Sequence, residues 1–231
     1  MLPLRDDQPS FSTPFINYFL IGLNLLIFLF ESSLDPDSLK IFFNQFAIIP
    51  SHLSASLAGS SHYSLLAVVL PFFTSMFLHG GWAHVIGNMW FLYIFGDNVE
   101  DYLGPFNYLT FYLGTGLIAM ACQVAMDIHS QVPNLGASGA IAGVLGAYFV
   151  LYPRARVLTW IFVLVLYLPA WVILGYWFVL QFVSGTVTSI AYEGRSMGGV
   201  AFWAHVGGFV AGVALIRLFR QRPRRLPYPI R

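Results

Sequence analysis

The sequence predicts an all-α, polytopic membrane protein: a six-transmembrane-helix bundle forming a single domain over residues 1–231. Three observations predict it. Of the 231 residues, 58% are hydrophobic and 9% charged, whereas soluble domains carry about 25% charged residues. A soluble fold of this composition has too little polar surface to cover itself. The apolar residues gather in runs that approach the roughly 20 positions a spanning helix needs. The basic residues then fall on one side of the resulting topology.

Residues 1–14 read as a cytoplasmic tail. They contain Arg5, Asp6 and Asp7, and no small-residue cleavage site follows the first apolar run. That run is therefore expected to be a retained span rather than a removable signal peptide. The first span is residues 15–30, closed by Glu31 and Asp35. Residues 32–75 form an outer connector with Lys40, three prolines and many serines. The apolar stretch at residues 41–49 within it is short and suits a helix lying in the membrane interface. The second span covers residues 81–95 and stops at Asp97, Glu100 and Asp101. The third covers 106–126, the fourth 136–151, the fifth 166–183 after the apolar 157–165, and the sixth 198–219. A polar connector over 185–197 precedes the sixth, and 220–231 is a basic tail.

Residues 65–78 are also uncharged, but Pro71 interrupts them and they are short. With six spans, one side holds Arg5, Arg154, Arg156, Arg217, Arg220, Arg222, Arg224, Arg225 and Arg231, and the other only Lys40 and Arg195. Basic residues collect in cytoplasmic loops, so this asymmetry favours six spans over seven and puts both termini in the cytoplasm. The protein is expected to be multi-pass, in the plasma (inner) membrane if its source is bacterial. The lipid bilayer is its first partner. Nucleic acid is excluded as a partner: the net charge is +1, with no basic cluster interleaved with aromatics. The lone Cys122 excludes an intramolecular disulfide. Oligomeric state leaves no signal.

The chemistry gathers in the uncharged runs. Ser138 opens the fourth helix within Gly136-Ala137-Ser138-Gly139, and His205 lies in the sixth. Polar and ionisable groups in hydrocarbon are costly, so they are functional candidates by default. The second, fourth and sixth helices all run from outside to inside. His84, Asn88, Ser138 and His205 therefore fall at one depth, in the outer half of the bilayer. Ser138, Ala142 and Gly146 share one helix face, and His205, Gly208 and Gly212 share another. Gly139–Gly143 and Gly208–Gly212 are both GxxxG patterns, which let helix backbones approach closely in lipid. Close approach is what a serine hydroxyl needs to reach an imidazole at about 2.6–3.2 Å. A hydroxyl is a weak nucleophile until a base takes its proton, and an imidazole suits that task. The carboxylates sit in tails or connectors, so the pattern is a Ser–His dyad rather than a triad. Oxyanion donors are at hand in the Asn88 amide, the His84 ring N–H and the Ser138 backbone N–H in the unpaired first turn of its helix.

Taken singly, Ser138 is also an ordinary first-turn residue and His205 an ordinary hydrogen-bonded contact between helices. Their combination with His84 and Asn88 selects the catalytic reading. His52, His62 and His129 read as solvated connector residues. His84 with Asn88, and His79 five residues before His84, make poor metal-ligand geometry, so no metal or cofactor is expected. His79 is given no catalytic role, and the acidic group Asp97–Asp101 none at all.

At these residues the chain resembles the rhomboid family of intramembrane serine proteases. The matching stretches are His79-Gly80-Gly81-Trp82-Ala83-His84-Val85-Ile86-Gly87-Asn88, Gly136-Ala137-Ser138-Gly139 and Ala204-His205-Val206-Gly207-Gly208 through Gly212. The resemblance implies Ser138 as nucleophile and His205 as base, with His84, Asn88 and the Ser138 amide at the oxyanion. It implies an outward-opening, water-filled cavity, with the fifth helix and its following connector as a mobile gate. It also implies single-span membrane-protein substrates with helix-breaking residues near the outer face. The sequence departs from some members at Ala142, where they carry a tyrosine under the histidine, and lacks the Trp-Arg pair of some first connectors. Two rival readings are a non-catalytic binder of transmembrane helices, disfavoured by the presence of both Ser138 and His205, and a small transporter or proton channel. The latter requires ionisable groups across both leaflets, which these helices lack.

Overall fold

A computed structural model describes residues 1–59, 64–191 and 201–219. In chain order the elements are β1 (Leu2–Asp6), α1 (Phe15–Ser33), α2 (Pro36–Phe46), α3 (Pro50–Leu57), α4 (Leu65–Thr74), α5 (Trp82–Leu103), α6 (Pro105–Met126), α7 (Ser138–Leu151), β2 (Arg156–Ile161), β3 (Leu164–Pro169), α8 (Ala170–Ala191) and α9 (Phe202–Leu215).

The six helices anticipated from the sequence are present as α1, α5, α6, α7, α8 and α9. By length and composition α1, α6 and α8 can cross a membrane, and a fourth span is formed if residues 66–77 and α5, bent by 75°, count as one. At 14 residues each, α7 and α9 are about 21 Å long, short of a roughly 30 Å hydrocarbon core. They are the inner helices. Every residue of α7 from Gly139 to Tyr148 is buried, and α9 buries Ala204, His205, Gly208, Phe209, Ala211 and Gly212. Both are nearly free of bulky residues where they meet, which fits packing by close backbone approach.

Local chemistry fixes several boundaries. Asp35 caps α2, its carboxylate accepting from the Asp37 and Ser38 N–H groups at 3.1 Å each, with Pro36 opening the helix. Ser64 caps α4 through the Ala67 N–H. Glu100 resolves the acidic group of α5: its carboxylate accepts from the Ile16 N–H at 3.1 Å and the Asn17 N–H at 2.7 Å. A negative charge thus meets the unpaired donors and positive dipole end of α1. Beside it the Asn17 amide donates to the Leu92 carbonyl, and the Tyr108 hydroxyl donates to Asn17.

The class is all-α with one addition: a three-stranded antiparallel sheet in the order β1-β2-β3. The segment anticipated as a tail supplies β1, which pairs Leu2 with Trp160 and Asp6 with Val157. The apolar run 157–165 is a hairpin, paired from Arg156↔Pro169 to Ile161↔Leu164, and not a lead-in to the fifth helix. That helix begins at Ala170 instead of 166 and continues through Ala191, so 185–191 are helical rather than connector. The run carries Val157, Thr159, Trp160, Ile161, Phe162, Val163 and Val165, residue types that favour strands, and Pro169 separates strand from helix. In the connector over residues 32–75 the apolar stretch 41–49 is the second half of α2 followed by an extended segment in which Ile48 bridges Asn134, α3 comes after it, and the ambiguous 65–78 becomes α4 with a following tight turn. Arg195, residues 192–200 and the basic tail 220–231 lie outside the described residues.

The sheet carries a pH-sensitive contact. The Tyr148 hydroxyl donates to the Asp6 carboxylate, and burial raises the Asp6 carboxyl to about 6 against this bond. Neighbouring Asp7 is held below the usual range: slight burial pushes it up, but the Arg156 N–H and guanidinium, at 2.7 and 3.0 Å, outweigh that. A raised folded-state pKa makes a contribution that is complete below the unfolded pKa near 4 and is lost as pH rises through the folded value. Asp6→Asn should therefore gain melting temperature relative to wild type as pH is raised from about 4.5 to 7.5. Thermal melts in detergent at several pH values measure the gap; a gap independent of pH would contradict this.

Candidate active site

The loop before α7 is held from two sides. The Gly136 N–H donates to the Ser75 carbonyl at 2.9 Å, and the Asn134 N–H to the Ile48 carbonyl at 2.8 Å. Gly136 has φ +127°, a conformation that only glycine adopts without strain. A Cβ there would also lie 2.7 Å from His84 Nε2 and 3.6 Å from Ser138 Oγ. Gly136 therefore lets the His84 ring and the Ser138 hydroxyl share one small space. Ser138 is the first residue of α7, in the turn whose N–H groups lack intrahelical acceptors.

His205 comes from the first turns of α9. The Gln123 side chain on α6 accepts from the Ala204 N–H at 3.1 Å, fixing the start of that helix. Its turn then meets α7 by backbone contact: a Cβ on Gly208 would lie 2.0 Å from the Gly139 carbonyl oxygen, and one on Gly212 would lie 2.0 Å from that of Gly143. The two GxxxG patterns thus face each other. At this separation His205 Nε2 lies 2.7 Å from Ser138 Oγ, a hydrogen bond between residues 67 positions apart. His205 is 8% exposed.

The opposite edge of the imidazole is also occupied. His205 Nδ1 lies 2.7 Å from Gln181 Oε1 on α8. The Trp177 ring, one turn earlier on the same helix, lies 5.7 Å from the imidazole with an interplanar angle of 39°. These two residues support the ring in a structure whose α7 carries Ala142, and neither was singled out in the sequence.

The α5 residues stand beside the loop. His84 lies against Gly136, its ring centroid 5.1 Å from that of His79. The Asn88 amide nitrogen lies 3.0 Å from His79 Nε2, so His79 orients Asn88. The backbone N–H of His79 donates to the Glu31 carboxylate at 3.2 Å. Glu31, 2% exposed, lies inside α1 and ties it to this segment. Glu31, Asp97, Glu100 and Asp101 are therefore helical residues, not connector residues as their position at the ends of apolar runs indicated. The structure thus joins Ser138 to His205 directly, puts His84 at the same loop, and sets Asn88 against His79. Gly136, Gly139, Gly208 and Gly212 are the positions that allow the approach. His52 lies on α3 and His129 before α7, apart from these hydrogen bonds.

Chemically, the arrangement offers a hydroxyl with a base in hydrogen-bonding contact and a second imidazole, that of His84, against the loop that carries it. Comparisons with known proteins place the chain in a family. A protein described as "Rhomboid-like protein 11, chloroplastic", from Arabidopsis thaliana, is 36% identical over 153 residues, 66% of this chain and 53% of that protein. "Rhomboid protein 1, mitochondrial", from Saccharomyces cerevisiae, is 29% identical over 161 residues, 66% of this chain and 44% of that protein. Over 75 residues the chain is 33% identical to the "Putative rhomboid protease YdcA" of Bacillus subtilis, covering 37% of it. The chain spans about half the length, or less, of these relatives, and their names select no single compartment. The family model for the Rhomboid domain matches residues 67–222, more than half of the chain and all of the residues just described from Ser75 to His205, and the chain belongs to the rhomboid family.

Proposed function

We propose that the protein is an intramembrane serine endopeptidase that hydrolyses peptide bonds in or near the transmembrane segments of single-span membrane proteins. The observation that carries this reading is the 2.7 Å contact between Ser138 Oγ and His205 Nε2, within the reach a nucleophile–base pair requires. His205 takes the proton from Ser138 as Oγ attacks the scissile carbonyl carbon. The tetrahedral oxyanion is met by the Asn88 amide, the His84 ring N–H and the Ser138 backbone N–H. His205 then gives the proton to the leaving amine, and an acyl-enzyme on Ser138 remains. Water, deprotonated by His205, hydrolyses the ester and restores the hydroxyl. In this reading the Ser138 end of the bundle faces outward and both termini are cytoplasmic.

A fluorophosphonate probe tests the nucleophile without knowledge of the substrate. Wild-type protein in liposomes should be labelled at Ser138, and Ser138→Ala should not be. Absence of label on a folded wild-type protein that still binds transmembrane helices would move the chain to the non-catalytic reading. Replacing one oxyanion donor typically costs about 10²–10³ in kcat. Asn88→Ala should accordingly lower kcat on a reporter by about 10²-fold with KM little changed, and steady-state kinetics measure the split. A rise in KM alone would assign Asn88 to substrate binding instead.

A further inference from the structure

Among the described residues, the imidazole of His205 is held at both nitrogens, and the second partner is an amide. We propose that Gln181 is a positioning residue for the base: its Oε1 accepts from His205 Nδ1–H and so keeps the Nε2 lone pair directed at Ser138. This inference rests on the serine-protease reading above and deepens it.

The geometry supports one consistent assignment of protons. For Nε2 to accept from Ser138 at 2.7 Å, the ring proton of the neutral imidazole must sit on Nδ1. Nδ1–H then needs an acceptor, and Gln181 Oε1 stands at 2.7 Å. A buried donor without an acceptor is costly, so the pairing disfavours the tautomer that would disable the base. Gln181 takes no proton in the reaction. When Ser138 Oγ bonds to the carbonyl carbon its proton moves to Nε2, and the imidazolium keeps its Nδ1–H on the amide oxygen. A carboxylate here would hold the imidazolium more strongly, but a carboxylate on a spanning helix is costly. An amide supplies the acceptor without the charge. Trp177, four residues earlier on α8, lies on the same helix face and limits the tilt of the ring at 5.7 Å. Among the described residues, the titratable side chains near His205 are His84 from α5 and Cys122 of α6, packed against Gly207.

Gln181 belongs to α8, the spanning helix with the smallest buried share of the three long ones. The base is therefore oriented from α8, and a displacement of that helix would release Nδ1.

The experiment measures the rate of fluorophosphonate acylation at Ser138 in liposomes from about pH 5 to 9, for wild type, Gln181→Leu and Gln181→Glu. Gln181→Leu removes the acceptor at similar volume. It should slow acylation by about 10²-fold, the low end of what general-base catalysis supplies, while binding of a transmembrane reporter peptide stays within about twofold of wild type. Gln181→Glu restores an acceptor and adds a charge. It should keep most of the rate and move the acid limb of the profile upward by about 1–3 pH units, as an opposite charge beside an imidazole does. A substitution felt only through packing would lower the rate without moving the limb. Acylation of Gln181→Leu within about twofold of wild type would overturn the proposal. Should that variant not fold, an unmoved acid limb in Gln181→Glu would overturn it equally. A wild-type Ser138 that takes no label removes the protease reading and this inference together. A labelled wild type with insensitive Gln181 variants removes only the role of Gln181.

Discussion

A single-span reporter reconstituted with the purified protein in liposomes should be cleaved, and Ser138→Ala and His205→Ala should each lower the rate by at least about 10³-fold. The magnitude follows from how such pairs behave: nucleophile and base act as a unit, so removing either costs nearly as much as removing both. The double variant should then be no slower than either single one. That non-additivity is the more demanding half of the expectation, because two residues contributing separately would multiply their losses. The 2.7 Å contact between the side chains is the physical basis for treating them as one. Residual cleavage comes from the oxyanion donors and substrate positioning alone. Equal cleavage by wild type and both variants would assign the activity to another nucleophile and sink the proposed mechanism. Cleavage products, read by mass spectrometry, give the scissile bond in the same experiment.

The parts of this site that were legible in the sequence are those encoded locally. Ser138 and His205 are polar residues in uncharged runs, where their cost marks them, and the small residues flanking them repeat at helical spacing. The facing of Gly139–Gly143 with Gly208–Gly212 follows from that spacing and is what the structure contains. Gln181 was not legible. An amide in an apolar helix carries no charge to mark it, and its meaning depends on the rotation of α8 against α9, which no local pattern encodes. Glu31 and Glu100 were misplaced for a related reason. Acidic residues at the end of an apolar run read as stop signals, yet each serves the backbone of a distant segment, Glu31 that of His79 and Glu100 that of Ile16 and Asn17. The hairpin β2–β3 was missed because a short continuous apolar run looks the same for a buried helix and a strand. Its pairing with β1 joins residues more than 150 positions apart.

Gly208→Ala should abolish most activity although it adds only one methyl group, one turn from His205. The added Cβ would lie 2.0 Å from the Gly139 carbonyl oxygen and 3.3 Å from the Ala119 methyl. The first of these neighbours is backbone, so no side-chain rotation relieves the overlap, and α9 must move away from α7 by an ångström or more. Overpacking of this kind costs about 1–3 kcal/mol in stability, which a melting curve in detergent will show as a lowered midpoint. The catalytic effect should be larger than the stability effect. The Ser138–His205 hydrogen bond joins these same two helices one turn away, and a misplacement of about 1 Å costs on the order of 10²-fold in rate. Gly212→Ala meets the Gly143 carbonyl at the same 2.0 Å but lies two turns from His205. It should destabilise comparably while slowing cleavage less, because α9 can pivot about its far end. Gly22→Ala and Gly114→Ala are the controls. Their added Cβ atoms would meet nothing within 4 Å, and alanine is the better helix former by about 1 kcal/mol, so both should hold or gain stability with activity unchanged. If Gly208→Ala melts and cleaves like these controls, the two helices are not in backbone contact, and the close approach that brings the hydroxyl to the imidazole has another origin.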